Sequence, residues 1–121
     1  MDNRPIGMFD SGVGGLTVYK EIRKKFPNDN IVYLGDTKSF PYGSKSKESI
    51  INLTKSGIHF LISKNVKAVV IACGTATSQA LDAVKELYDI PIIGIIEPTA
   101  KYISKNKNIH KVGVVATAGT I

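Results

Sequence analysis

Short apolar runs alternate along this chain with longer stretches in which apolar residues return every three or four positions. That is the pattern of strands alternating with amphipathic helices. Pro5 to Phe9 reads as a first strand. Leu16 to Phe26 reads as a helix with Leu16, Tyr19, Ile22 and Phe26 on one face. Asn30 to Gly35 is a second strand, followed by a polar loop from Asp36 to Ser46. The longest helix is predicted over Lys47 to Ser63, with Ile50, Ile51, Thr54, Ile58, Leu61 and Ile62 as its buried stripe. Ala68 to Ala72 is a continuous apolar strand, as expected where both faces are covered. A helix from about Ala76 to Tyr88 carries Ala80, Leu81, Val84 and Leu87 inward. Ile92 to Ile96 is the fourth strand, and Pro98 suits the first turn of a short helix ending near Ser104. Val112 to Ala116 is predicted as the fifth strand.

This alternation predicts an α/β fold. Its core is an open parallel sheet of about five strands with helices on both faces, right-handed crossovers and a flavodoxin-like strand order. No helix follows the fifth strand before Ile121. In such folds ligands bind outside the carboxyl ends of the strands. Four loops lie there. They are Asp10-Ser11-Gly12-Val13-Gly14-Gly15, Phe40-Pro41-Tyr42-Gly43, Cys73-Gly74-Thr75-Ala76-Thr77-Ser78, and the segment opening with Thr117.

Composition narrows the class. A chain of 121 residues is one domain's worth of polypeptide, and a single cysteine excludes a disulfide framework. The longest apolar runs, Ala68 to Cys73 and Ile90 to Ile96, are too short to span a bilayer. Met1-Asp2-Asn3-Arg4 opens no signal peptide, so a cytoplasmic protein with no membrane partner is expected. The formal charge is +6. Its lysines are scattered and no aromatics interleave with them, so a solvated surface is expected and nucleic acid is not. An anionic small molecule would be drawn to such a surface.

The rim residues carry the candidate chemistry. Gly12-x-Gly14-Gly15 between a strand and a helix resembles a phosphate cradle, and Asp36 sits where dinucleotide folds keep a ribose-binding acid. Thr17 breaks the Gly-x-Gly-x-x-Gly pattern, however, and Asp10 would repel a phosphate. The other reading is a tight turn whose backbone contacts a small ligand. Cys73 closes the third strand just before a helix, whose free N–H groups favour a thiolate. Asp10 closes the first. It either caps the following loop or lies beside Cys73 to orient the thiol or take its proton. Position alone does not separate these. His59 and His110 lie off the rim and have no metal-ligand spacing, and Lys38, Lys45 and Lys47 fit a solvated loop.

Ile6-Gly7-Met8-Phe9-Asp10-Ser11-Gly12-Val13-Gly14-Gly15-Leu16-Thr17-Val18 resembles the opening signature of the glutamate racemases. Leu34-Gly35-Asp36-Thr37, Phe40-Pro41-Tyr42-Gly43, Ala72-Cys73-x-Thr75-Ala76 and Val112-Gly113-Val114-Val115-Ala116-Thr117 continue the likeness in order. The resemblance implies interconversion of L- and D-glutamate for peptidoglycan, without a cofactor or metal, by two thiols facing each other across the substrate Cα. Cys73 would be one thiol and Asp10 would assist it. Ser11, Tyr42, Gly43, Gly74, Thr75 and Thr117 would contact the glutamate. The resemblance also marks two departures. The family carries asparagine, a substrate contact, where Gly74 stands here. Its chains are about twice as long, with the second cysteine in the other half. Residues 1–121 are thus expected to form the N-terminal α/β domain of a two-domain racemase, inactive as a monomer. Two further readings stand beside this one. One is a homodimer that opposes two Cys73 thiols, and the other is a non-enzymatic module binding a nucleotide or another small ligand.

Overall fold

The computed structural model describes residues 1–121. Strand β1 spans Ile6–Asp10, helix α1 Leu16–Lys25 and strand β2 Ile31–Gly35. A single 3-10 turn, Thr37–Ser39, leads to helix α2, Lys47–Ser63. Strand β3 (Ala68–Ile71), helix α3 (Gly74–Val84), strand β4 (Ile92–Gly94) and helix α4 (Ile96–Lys105) complete the elements. All pairings are parallel and the sheet order is β2-β1-β3-β4, the flavodoxin-like order expected for these four.

The pleat sorts the side chains. Phe9, Val69 and Ile71 point to the face that carries α2 and α3, and they form one core with Tyr42, Ile50, Ile58, Leu61, Val66, Ala76, Ala80 and Val84. Burying each large aliphatic side chain there contributes about 1.5–3 kcal/mol. Ser46 sets the start of α2: its hydroxyl accepts the Ser49 N–H at 3.2 Å, satisfying a donor the helix leaves free. Within α2, Thr54 is fully buried and its hydroxyl has no partner. A buried hydroxyl without a bond costs free energy that an isosteric methyl does not. Thr54→Val is therefore expected to stabilise the fold by about 1 kcal/mol, read as a higher midpoint in a circular-dichroism melt.

The structure departs from the sequence pattern in three places. Four strands form, not five. Residues 112–116 enter no ladder, and Val112, Val114 and Val115 are exposed. The chain after α4 is held at its far end by hydrogen bonds to α3, between the Thr117 and Thr75 hydroxyls and from Ser78 and Gln79 to the Gly119 carbonyl. Second, the opposite sheet face carries only α1. Ala68 and Val70 stay half-exposed between the buried Val69 and Ile71, and no residue of α1 is buried. A ten-residue helix is too short to cover that face, so Leu16 and Phe26 at its two ends remain open. Third, α3 stops at Val84. The Leu87 N–H turns back to the Val84 carbonyl, which tightens the chain out of helix and leaves Leu87 exposed. No helix is long and apolar enough to cross a membrane.

Candidate active site

Cys73 ends the β3 run and is the N-cap of α3. Its extended backbone turns the sulfur over the helix end, where Sγ accepts the Ala76 N–H at 3.4 Å. An N–H aimed at sulfur stabilises negative charge there, as does the helix N-terminus itself. The first N–H groups of α3, those of Gly74 and Thr75, have no acceptor inside the helix. Ser11, just past the end of β1, places its hydroxyl 3.4 Å from Cys73 Sγ, and both residues are buried. Their meeting follows from topology: β1 and β3 are parallel neighbours, so their carboxyl ends open on one edge.

Asp10 fills the first of the two roles left open by its position, that of capping the loop. Its Oδ2 accepts the N–H groups of Gly12 at 2.9 Å and Gly15 at 3.2 Å, so one oxygen organises the glycine loop. Oδ1 has no protein donor, which leaves it free toward the rim. This glycine loop is a turn wrapped around a carboxylate, with two of its N–H groups spent on Asp10.

The remaining candidates close the ring. The Thr75 and Thr117 hydroxyls are 2.7 Å apart, and Thr120 extends the chain of hydroxyls 3.2 Å further. Gly43 lies directly against Thr117: a Cβ at position 43 would stand 2.9 Å from Thr117 Cγ2, so only glycine permits this approach. Tyr42 behaves differently. Its ring is in the core against Phe9, and its hydroxyl donates to Asp36 Oδ2 at 2.6 Å. The side chain is thus held away from the rim, and what Tyr42 and Gly43 present there is backbone. Asp36, considered above for a ribose, spends that oxygen on Tyr42. His59 and His110 are both exposed and away from this ring.

Tyr33 was missed in the sequence. Its hydroxyl donates to the Gly12 carbonyl at 3.0 Å and lies 3.5 Å from Asp10 Oδ2. The period-two alternation of β2 was the available signal, since Tyr33 pairs with Met8, two residues before Asp10 on the same face. Burial, with the Asp10 charge beside it, pushes the Tyr33 hydroxyl up to about 12. Burial and the bond to Asp36 push Tyr42 higher still. Both keep their protons in the folded chain at a pH where unfolded tyrosines, near 10, ionise. Their contribution to stability is therefore complete below pH 10 and is lost as pH climbs past 10, through about 12 for Tyr33 and beyond that for Tyr42. Urea midpoints at pH 9, 10 and 11 should fall in that order, and Tyr42→Phe should flatten the fall.

A buried thiol on a helix N-terminus, a carboxylate and a set of threonine hydroxyls stand together at the carboxyl edge of a parallel α/β sheet. The comparisons give this arrangement a family. The model for Asp/Glu/Hydantoin racemase matches residues 6–120, and the chain belongs to that family. It is 54% identical over 121 residues to the glutamate racemase of Lactococcus lactis subsp. cremoris, covering 100% of this chain and 45% of that protein. It is 49% identical over 116 residues to the glutamate racemase of Hydrogenobaculum, covering 96% and 45%. Among solved structures it superposes on glutamate racemase isoform RacE1 from Bacillus anthracis with a TM-score of 0.93 and 41% identity, covering 99% of this chain and 45% of that one. Glutamate racemase from Francisella tularensis, solved in complex with D-glutamate, gives 0.89 at 43% identity, with 99% and 45% covered. The chain spans a little under half the length of the relatives it matches.

Proposed function

We propose that these residues supply one face of a cofactor-independent glutamate racemase site, used in the cytoplasm to make D-glutamate for peptidoglycan. The observation that carries this reading is the Cys73 sulfur, held between the Ser11 hydroxyl and the Ala76 N–H beside the paired hydroxyls of Thr75 and Thr117. As thiolate, Cys73 takes the α-proton from one face of glutamate and becomes a thiol. The electron pair spreads onto the α-carboxylate, where the free N–H groups at the start of α3 stabilise the growing charge. Asp10 Oδ1 holds the ammonium group. Inversion needs a proton delivered from the opposite face. Cys73 is the single cysteine of these 121 residues, so a second acid must come from other polypeptide.

The test uses that single thiol. Glutamate should protect Cys73 from iodoacetamide, whereas ATP and NAD should not. In deuterated buffer this chain alone should yield no D-glutamate from L-glutamate. Protection by nucleotide in place of glutamate, or inversion by a strictly monomeric sample, overturns the proposal.

A second reading has its own support in the exposed Val112, Val114 and Val115, which give two copies an apolar surface next to Thr117. Pairing across a two-fold axis would set one Cys73 against the other. Specific activity would then rise with protein concentration, and a flat specific activity rejects it.

A further inference from the structure

We propose that Tyr33 is a positioning residue of this site, acting through the glycine loop to hold Ser11 against Cys73. The inference rests on the racemase reading for its purpose but not for its geometry. Three contacts meet at the Tyr33 hydroxyl. It donates to the Gly12 carbonyl at 3.0 Å and stands 3.5 Å from Asp10 Oδ2. It also fills the space over Gly15, where a Cβ would come within 2.9 Å of it.

These contacts fall on either side of Ser11, on the Asp10 carboxylate before it and on the Gly12 carbonyl and Gly15 after it. A loop of small residues is the most mobile element of such a rim unless tied down, because glycine leaves the backbone free. The tie matters here because Ser11 supplies the side-chain hydrogen bond to the Cys73 sulfur, the other coming from the Ala76 N–H. The Cys73 S–H donates to this hydroxyl oxygen at 3.4 Å; once the proton is gone the hydroxyl can turn and donate to the thiolate, but only while its carrier stays in place. Tyr33 stands on β2, in register with β1, so it clamps the loop from the sheet and not from the loop itself. The titratable groups close enough to feel the Cys73 charge are Tyr33 from β2, with Asp10 of β1 beside it, and the Tyr42 hydroxyl, which points to Asp36. Tyr33 stays a neutral donor across the range used below.

The experiment follows alkylation of Cys73 by iodoacetamide from pH 6 to 10, without glutamate, in the unaltered chain, Tyr33→Phe, Ser11→Ala and the double variant. Ser11→Ala removes a hydrogen bond to a charged sulfur and should slow alkylation about tenfold on the acid side of the profile. Tyr33→Phe keeps the ring and should move the profile to higher pH, slowing the reaction about threefold. In the double variant the Tyr33 change should add nothing to Ser11→Ala, because its effect passes through Ser11. Far-UV circular dichroism of each variant accompanies the rates. An unmoved profile, a profile moved to lower pH, additive losses, or loss of the fold in Tyr33→Phe each overturn the proposal. Glutamate protection, measured separately, tests the racemase reading. A chain that glutamate fails to protect but whose profile shifts as described would reject that reading and keep Tyr33 in its role.

Discussion

Gly35→Ala should damage the site more than any other single methyl added to this rim. Gly35 ends β2 opposite Asp10, and the next residue's N–H donates to the Asp10 carbonyl at 2.9 Å. A Cβ on Gly35 would fall on the Gly12 carbonyl oxygen, well inside contact distance. That oxygen is main chain and cannot swing aside as a side-chain tip would. It is also the atom that Tyr33 holds. The loop must therefore lift, taking with it the Gly12 and Gly15 N–H groups on Asp10 and the Ser11 hydroxyl on Cys73. Crowding of this kind costs about 1–3 kcal/mol. The expected result is a lowered thermal midpoint together with loss of glutamate protection of Cys73. Gly14→Ala is the matched control, because a Cβ there meets nothing within 4 Å. If Gly35→Ala melts and binds as Gly14→Ala does, the clamp described for this loop is wrong.

Gly74→Asn should tighten glutamate binding. The resemblance places an asparagine here, and the structure has room for one: a Cβ on Gly74 meets only Thr120 Oγ1, at 3.8 Å. The backbone has no positive φ at any glycine, so asparagine enters without strain. Its amide would reach the rim next to Cys73 and add a hydrogen bond to a charged ligand, worth about 1.5–3 kcal/mol. Glutamate affinity, measured by calorimetry, should rise by at least tenfold. An unchanged affinity would mean that the ligand does not approach this end of α3.

The residues of the site were legible in the sequence to the extent that a rule of topology applied to them. Parallel strands open their carboxyl ends on one edge, so Asp10, Ser11, Cys73 and Thr75 could be placed together from their positions alone. Thr117 reached the same edge by a different route. It was expected after a fifth strand, yet it stands there because its hydroxyl and the Gly119 carbonyl bond to α3. The failure of that strand shows where pattern stops. Val112, Val114 and Val115 have the composition of a strand, but a strand also needs an edge to pair with and a face to cover. Neither is a property of the segment. Tyr42 shows the same limit at a single side chain: its place in the motif was readable, but the direction of its hydroxyl, inward to Asp36, depended on the core beneath it.

What the sequence determined by itself was the alternation of strand and helix, the parallel order β2-β1-β3-β4 and the identity of the thiol. These depend on local periodicity and on the handedness of crossovers, which any such chain obeys. Only the tertiary structure decided what each polar group does at the rim. It gave one Asp10 oxygen to the glycine loop and left the other free, turned Tyr42 away, and brought Tyr33 onto Gly12 from another strand. Distances of 3 to 4 Å between residues far apart in the chain arise from packing, and no periodicity in the sequence encodes them.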